Sequence, residues 1–346
     1  MTEAGERADA ETWAQAEAEA PSPSAEDVRR LVNRLLAASP GEERRIEPVD
    51  EGGEHATWRV GSRYVLRLAP GGAASARGRR EVALRAALAA KLPVPVPHSA
   101  ASGEWEGDAD LTYTLDLALP GDSAERRPVA AAGERDLAAL LSGLAHFPLR
   151  EATALGVPRA APRHIAELWR ETRRRHDARE PGAREPDGPE YSGPEYGTQA
   201  YGGPGYAAGL AALRRLETRC PATPAARVPT ALVHYDLKGE HLLLAPDGRV
   251  SGVLDWTDAV LGDPAEDIAG LALSIGAPAA LRVARSAGYG TAMCARALQL
   301  VRCDTRIRLA DRLSGRDDSP LPLLRAQRAR AWEATPLDGP APDIPQ

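Results

Sequence analysis

Cysteine, long apolar runs and lysine are all scarce in this chain of 346 residues. It has three cysteines, an odd number without a CxxC pair, and this pattern favours reduced thiols over a disulfide framework. No apolar run approaches the ~18 residues that would cross a membrane. The acidic N-terminus, MTEAGERADAETWAQAEAEA, has neither the basic region nor the apolar region of a secretion signal. We therefore expect a cytoplasmic protein without a membrane partner.

The shortage of lysine changes how the basic residues are interpreted. Of 43 basic residues only two are lysines, Lys91 and Lys238, so arginine stands almost everywhere else. An arginine where other proteins carry lysine therefore means little here, whereas a remaining lysine means more. The 49 acidic residues give a net charge of −6, which does not favour nucleic acid as a partner.

The length suits one large domain or two lobes, and the composition divides the chain further. Residues 1–23 are rich in Ala and Glu and end in PSPS, so we expect a disordered tail. Residues 24–118 carry both strand and helix signals, and residues 119–335 are mainly helical. Within the second region, residues 181–206 repeat GPEY without apolar periodicity, which predicts a flexible insertion. The Pro-rich residues 336–346 should form a second disordered tail.

The first region predicts a small α+β unit. Ser24 is a candidate N-cap for a helix to about residue 38. The segments ATWRV and YVLRL alternate and are separated by GS, which indicates a hairpin. The helix ARGRREVALRAALAAKL stops at PVPVP, and the strand LTYTLDLAL ends at PG. Further helices are predicted at about residues 133–145, 162–180, 206–219, 264–274, 278–287, 291–313 and 320–334.

The stretch ALVHYDLKGEHLLLAPDGRVSGVLDWTDA concentrates the polar chemistry. HLLL and VSGVLDW flank the turn residues Asp247 and Gly248, which predicts a β-hairpin. In an antiparallel hairpin the start of one strand lies beside the end of the other. His241 at the start and Asp255 at the end should therefore be close, and Asp236 arrives at the same edge. Three groups that can bind a metal ion are thus expected to converge.

The segment GDPAEDIAGLAL predicts the start of a helix. Asp263 would be the N-cap, Pro264 would follow at the first helical position, and Glu266 would complete a capping box. Asp267 then lies one turn into the helix, and we expect it to order the neighbouring loop rather than to be a solvated surface acid.

The linked motifs HYDLKGEH and GVLDWTDAVLGDPAEDIA resemble those of the aminoglycoside phosphotransferase-like kinases. These are small-molecule relatives of the protein kinases, and their pattern is HxDxxxxN, a hairpin, IDW/D and DPxxDLA. The resemblance covers about residues 26–335. It implies an α+β, two-lobed protein-kinase-like fold with a small β-rich N-lobe and a larger, mainly helical C-lobe. It further implies transfer of the γ-phosphoryl group of ATP or GTP, with Mg²⁺, to a hydroxyl of an antibiotic or a metabolite.

The same resemblance implies roles for four residues of the second region. Asp236 would be the catalytic carboxylate and Asp255 a Mg²⁺ ligand. Lys238 would contact the γ-phosphate. His241 stands where the family more often has a metal-binding asparagine, although some members resemble this chain in having histidine there. His234 would brace the loop through hydrogen bonds.

In the first region the resemblance implies a nucleotide-binding set. Arg67 would hold the α- and β-phosphates and pair with Glu81. Gly52 and Gly53 would lie in the loop over the phosphates. Backbone groups near Leu117 would bind the purine.

Two other classes remain open from the residues. A metallohydrolase could use His234, Asp236, His241 and Asp255 as ligands of Zn²⁺. A non-catalytic pseudokinase could bind nucleotide or a protein partner, with the tyrosine-rich insertion as its contact surface. The sequence leaves the acceptor, the choice between ATP and GTP and the oligomeric state undefined.

Overall fold

The computed structural model describes residues 23–36, 45–49, 56–69, 71–105, 108–177 and 228–338. Several predictions fall outside these residues: all but residue 23 of the tail of residues 1–23, Gly52 and Gly53, the insertion of residues 181–206, the helix near 206–219, and residues 339–346. The second predicted tail, residues 336–346, is wrong in its first part, because Pro336–Asp338 form a 3₁₀ helix in which Asp338 is buried. The chain divides into two compact units. Unit 1 comprises residues 1–90 and 96–119, and unit 2 comprises residues 91–95 and 120–346.

Unit 1 is built on one antiparallel sheet of five strands in the order β1-β2-β3-β5-β4. The strands are β1 (Ile46–Pro48), β2 (Ala56–Val60), β3 (Tyr64–Ala69), β4 (Ser99–Trp105) and β5 (Asp108–Leu117). The predicted hairpin of β2 and β3 is confirmed, with residues 61–63 as its loop. Two helices complete the unit, α1 (Ala25–Leu35) and α2 (Gly72–Ala89).

Helix α1 begins where its sequence predicts. Ser24 accepts a hydrogen bond from the backbone of Asp27, whose carboxylate returns to the Ser24 backbone, so the N-terminus has a capping box. Val28, Leu31 and Val32 share one face and are buried in a single cluster with the sheet. The other members of that cluster are Val60, Leu66, Leu68, Trp105 and Leu115.

Unit 2 is mainly helical, with short strands that carry its polar loops. Its helices are α3 (Ala131–His146), α4 (Leu149–Ala154), α5 (Ile165–Asp177), α6 (Ala265–Ile275), α7 (Ala277–Ser286), α8 (Thr291–Leu313) and α9 (Leu321–Ala331). Its strands are β6 (Asp122–Ser123), β7 (Ala231–Val233), β8 (Leu242–Leu244), β9 (Val250–Val253) and β10 (Val260–Gly262). They form a three-stranded sheet, β6-β8-β9, and a pair, β10-β7.

The hairpin of β8 and β9 confirms the prediction from the turn residues. Gly248 has a φ of 76°, a left-handed conformation that glycine adopts without strain. The Gly248 amide donates to Ala245 O, and the Ala245 amide donates to Arg249 O, which closes the turn. A short 3₁₀ turn, Gly239–His241, precedes β8, so His241 lies just before the strand rather than in it.

The start of α6 agrees with the prediction except for the capping box. Asp263 Oδ1 accepts from the Ala265 amide at 3.0 Å and Pro264 has helical φ and ψ of −58° and −19°, so Asp263 caps the helix as predicted. The predicted return contact from Glu266 is wrong. The Glu266 carboxylate does not return to the Asp263 backbone, because it binds Arg163 at 2.5 and 2.8 Å. A nearby guanidinium is a stronger partner for a carboxylate than a backbone amide.

None of the helices in the described part of the chain is long and apolar enough to cross a membrane. Cys294 and Cys303 are buried free thiols. Burial raises the pKa of Cys303 to about 12, so it remains protonated and unreactive.

Candidate active site

Residues 234–241, which we call the HYD loop, leave the buried strand β7 and carry most of the predicted chemistry. Tyr235 has a φ of 73°, and Asp255 at the end of the hairpin has a φ of 55°. These are the two non-glycine residues with positive φ in the described part of the chain. Such conformations persist where surrounding contacts impose them, and they cluster at functional sites.

His234 fixes the HYD loop from inside. Its ring is fully buried and packs against Trp256, with ring centroids 4.5 Å apart. Nε2 lies 2.8 Å from Leu254 O, which can only accept, so Nε2 carries the proton and Nδ1 accepts from the Asp236 amide at 3.3 Å. Burial lowers the pKa of His234 to about 4, so the ring is neutral. The predicted bracing role is confirmed by these contacts.

Asp267 of α6 holds the same loop from the other side. Its two oxygens accept from the backbone amides of His234 and Tyr235, each at 2.9 Å. Burial raises the pKa of Asp267 to about 7, while the two amide donors oppose this rise. The expected ordering role is confirmed, and the contact to Tyr235 holds the residue with the strained φ.

His241 and Asp255 meet at the edge where the hairpin geometry predicts them. His241 Nδ1 lies 2.8 Å from Asp236 O, so Nδ1 carries the proton in the neutral ring. Nε2 then presents its lone pair 3.8 Å from Asp255 Oδ2. The Asp236 carboxylate lies 3.5 Å from Nδ1 of the same ring. Three of the predicted polar groups therefore share one edge of unit 2.

Lys238 joins this group through its ammonium. Nζ lies 3.2 Å from Asp236 Oδ2 and 3.1 Å from Glu240 Oε2. Burial by itself would lower the pKa of Lys238, but the two carboxylates outweigh it and raise the pKa. The lysine is thus held as a cation beside Asp236. Glu240 was not singled out from the sequence, although its place two residues after Lys238 was visible there.

Unit 1 brings together the predicted pair Arg67 and Glu81. Arg67 Nη1 donates to both carboxylate oxygens of Glu81, at 2.9 and 3.0 Å. Glu81 is buried beside a second guanidinium, that of Arg85, at 3.7 Å. Arg85 in turn donates to both oxygens of Asp116, at 2.9 and 3.1 Å. The sequence indicated the pair of Arg67 and Glu81. It did not indicate the second, buried ion pair, which joins Arg85 of α2 to Asp116 of β5.

Leu117 ends β5, but its amide is already engaged. The amide donates to His98 O at 2.9 Å, and the next amide, of Ala118, donates to Arg63 O at 2.9 Å. A purine bound at this strand end would therefore need a donor other than these two amides.

A multidentate metal cluster is not formed in the described residues. No group of three or more His, Cys, Asp or Glu side chains there is arranged to hold a metal ion. Both ring nitrogens of His234 are occupied, so the four-ligand Zn²⁺ arrangement is not assembled. His241 Nε2 and Asp255 remain a two-ligand pair.

The sheet-based unit, the helical unit and the HYD loop beside Asp255 together define a kinase-like phosphotransferase. The sequence pattern of the phosphotransferase enzyme family matches residues 45–300. The viomycin phosphotransferase of Streptomyces vinaceus is 32% identical over 311 residues, which cover 83% of this chain and 97% of the relative. The chain belongs to the phosphotransferase enzyme family.

Solved structures agree at the level of the fold. The complex of an aminoglycoside 2″-phosphotransferase with GDP and kanamycin has a TM-score of 0.61 at 18% identity, covering 87% of this chain and 98% of that one. A macrolide 2′-phosphotransferase of type I has a TM-score of 0.55 at 19% identity, covering 91% and 100%. The predicted α+β, kinase-like fold is confirmed. So is the predicted class, a small-molecule phosphotransferase.

Proposed function

We propose that this enzyme transfers the γ-phosphoryl group of ATP or GTP to a hydroxyl of a small molecule, with Asp236 as the catalytic carboxylate. The observation that carries the proposal is the convergence of Asp236, Lys238, His241 and Asp255 on one edge of unit 2. A carboxylate beside a half-buried ammonium and two side chains that can bind a metal ion is the arrangement that phosphoryl transfer requires.

In this mechanism Asp236 orients the acceptor hydroxyl and takes its proton. The hydroxyl oxygen forms a bond to the γ-phosphorus while the bond from that phosphorus to the bridging oxygen breaks, so the nucleoside diphosphate leaves with the electron pair. Lys238 offsets the negative charge of the transferred group. Its Nζ also lies 3.2 Å from Asp236 Oδ2, a contact that orients the carboxylate.

His241 and Asp255 would hold Mg²⁺. The donor set fits, because the Asp236 carbonyl fixes the His241 tautomer and leaves Nε2 unprotonated toward Asp255. Bound there, Mg²⁺ would neutralise charge on the nucleotide phosphates. An imidazole is a softer ligand than the amide oxygen of asparagine, so this pair should tolerate Mn²⁺ well.

Arg67 would contact the α- and β-phosphates, with Glu81 fixing its guanidinium. Arginine suits this role because its planar fork binds phosphate oxygens at two points. Gly52 and Gly53 would cover the phosphates, and the strand end at Leu117 would lie against the purine.

The acceptor is proposed to be a hydroxylated antibiotic. The support is the identity to a viomycin phosphotransferase along nearly the whole of that relative. Tyr235 adds a chemical reason, because it is 39% exposed next to Asp236 and can offer a ring face to an acceptor. Viomycin is therefore the first acceptor to test, followed by aminoglycosides, macrolides and hydroxylated metabolites.

The test measures nucleoside diphosphate release with each acceptor, using ATP and GTP in turn. We expect Asp236→Asn to lose nearly all transfer, by about 10³-fold or more, while nucleotide affinity changes little. Asp247→Asn in the exposed hairpin turn is the matched control and should transfer normally. Near-full turnover by Asp236→Asn would refute the proposed mechanism.

A further inference from the structure

Gly239 of the HYD loop is enclosed by a segment more than a hundred residues earlier in the chain. Its carbonyl accepts from Ser123 Oγ at 2.9 Å and from the Ala124 amide at 3.1 Å. Strand β6 pairs with β8 at the same place, so this segment is fixed to the hairpin that follows the loop. The backbone of Gly239 is thus held by a rigid neighbour.

Glu125 closes the remaining side of Gly239. A β-carbon at Gly239 would lie 2.6 Å from Glu125 Oε1, 2.9 Å from Cδ and 3.1 Å from Cγ. Real side chains do not approach so closely, so either the loop or Glu125 would have to move. The position of the Glu125 carboxylate therefore leaves room only for glycine at residue 239.

Glu125 cannot move aside at low cost, because it is anchored. Arg330 of α9 donates from Nη2 to Glu125 Oε2 at 2.6 Å and from Nε to Leu273 O in α6 at 2.5 Å. The Glu125 side chain is 8% exposed. Its other oxygen, Oε1, is buried without a hydrogen-bond partner among the described residues and lies against Gly239. A buried acceptor without a hydrogen bond destabilises the folded protein. Its retention here indicates that the position of the Glu125 carboxylate is under a functional constraint.

We propose that Glu125, anchored by Arg330, is a positioning residue that sets the location of Gly239 and thereby of the neighbouring Lys238 ammonium and His241 ring. Lys238 and His241 lie one and two residues from Gly239, and the His241 amide donates to Lys238 O. A shift of Gly239 therefore moves both groups relative to Asp236. The inference rests on the proposed function for its kinetic consequence, but not for the contact itself.

Gly270 of α6 also lies close to the HYD loop, but its contact is with backbone rather than with a side chain. A β-carbon at Gly270 of α6 would lie 2.5 Å from Leu237 O, a backbone atom. That clash cannot be relieved by shortening a side chain. The clash at Gly239 can be, because all three of its close atoms belong to Glu125.

The experiment compares Gly239→Ala, Glu125→Ala, their double variant and Glu125→Gln. We expect Gly239→Ala to lower kcat by roughly 10- to 100-fold, with a smaller change in KM, because the loop is displaced. Glu125→Ala should lower kcat only several-fold. The double variant should recover to the kcat of Glu125→Ala, above that of Gly239→Ala alone. Glu125→Gln keeps a side chain of the same shape and should stay near wild type.

Two controls separate positioning from general damage. Gly290→Ala places its β-carbon in open space and should leave kcat unchanged. Gly270→Ala should not be rescued by Glu125→Ala. Retention of wild-type kcat by Gly239→Ala would overturn the proposal, and so would a double variant as slow as Gly239→Ala.

A measurement without substrate keeps the two proposals distinguishable. Imidazole ¹⁵N shifts report whether His241 Nδ1 still donates to Asp236 O. This hydrogen bond should weaken in Gly239→Ala and return in the double variant, and unchanged shifts in Gly239→Ala would overturn the positioning role. If wild type transfers to no acceptor, the proposed function fails, and the shifts alone still decide the role of Glu125.

Discussion

At the scale of single residues, His241 is the departure from the usual asparagine that can be tested directly. Its Nε2 lone pair faces Asp255 at 3.8 Å because Nδ1 is occupied by Asp236 O. We expect His241→Asn to retain transfer and to shift the preference from Mn²⁺ toward Mg²⁺, since an amide oxygen is the harder ligand. His241→Ala should lose both ligand and loop contact, and slow transfer about 10-fold or more.

The measurement is kcat/KM with each metal ion across a concentration series. Asp247→Asn again serves as the matched control. Identical metal dependence in wild type, His241→Asn and His241→Ala would mean that the ring is a strand-edge residue without a metal role.

The residue scale also shows where the sequence was informative. Asp236, His241 and Asp255 could be placed together because a hairpin turn fixes which strand ends are adjacent. Glu125 and Arg330 could not, since 205 residues separate them and neither has a local signal. A pair of this kind is set by tertiary packing alone.

At the scale of elements, the contacts of α6 with the HYD loop give a pH-dependent prediction. The pKa of buried His234 is lowered to about 4, so between about pH 4 and 6.5 the unfolded chain binds a proton that the folded chain excludes. This residue makes the free energy of unfolding fall as the pH falls. The pKa of Asp267 is raised to about 7, so the folded chain holds a proton that the unfolded chain has lost, and this residue makes stability fall as the pH rises.

The two effects oppose each other over the same range, and single variants should separate them. The free energy of unfolding of His234→Gln, taken relative to that of wild type, should fall as the pH rises from about 4 to 7. The same difference for Asp267→Asn should fall as the pH falls through this range. Each slope should be at most roughly 1.4 kcal/mol per pH unit. Urea unfolding at several pH values measures it, and slopes of the same sign would contradict the assignment.

Element boundaries followed the sequence where patterns were long and local. Helix α8 has the predicted bounds, 291–313. Strand β4, SAASGEW, was missed because it has little apolar alternation, and β6 because it has two residues. The capping box at α6 failed for a different reason, since Arg163 lies far from Glu266 in sequence and takes its carboxylate.

At the scale of the whole molecule, a buried ion pair secures the segment after α9 to the core of unit 2. Arg302 is fully buried and binds both oxygens of Asp338, at 2.7 and 2.9 Å. Removal of one partner leaves a buried charge unpaired. We expect Asp338→Ala to lower the free energy of unfolding by ~3–5 kcal/mol.

The exposed pair of Arg282 and Glu134 is the matched control for this prediction. Glu134→Ala should cost at most about 1 kcal/mol. Chemical denaturation of both variants checks the difference. A similar loss in the two variants would show that burial does not decide the contribution of Arg302 and Asp338.

The anchor of Glu125 by Arg330 also has a consequence for the order in which the enzyme matures during synthesis. Every residue of the HYD loop and Asp255 has been translated well before Arg330 is added. Until then Glu125 faces the loop without its guanidinium. The nascent chain therefore carries all the motifs of a phosphotransferase before the contact of Glu125 with Arg330 is complete, and transfer activity should rise several-fold once α9 has docked.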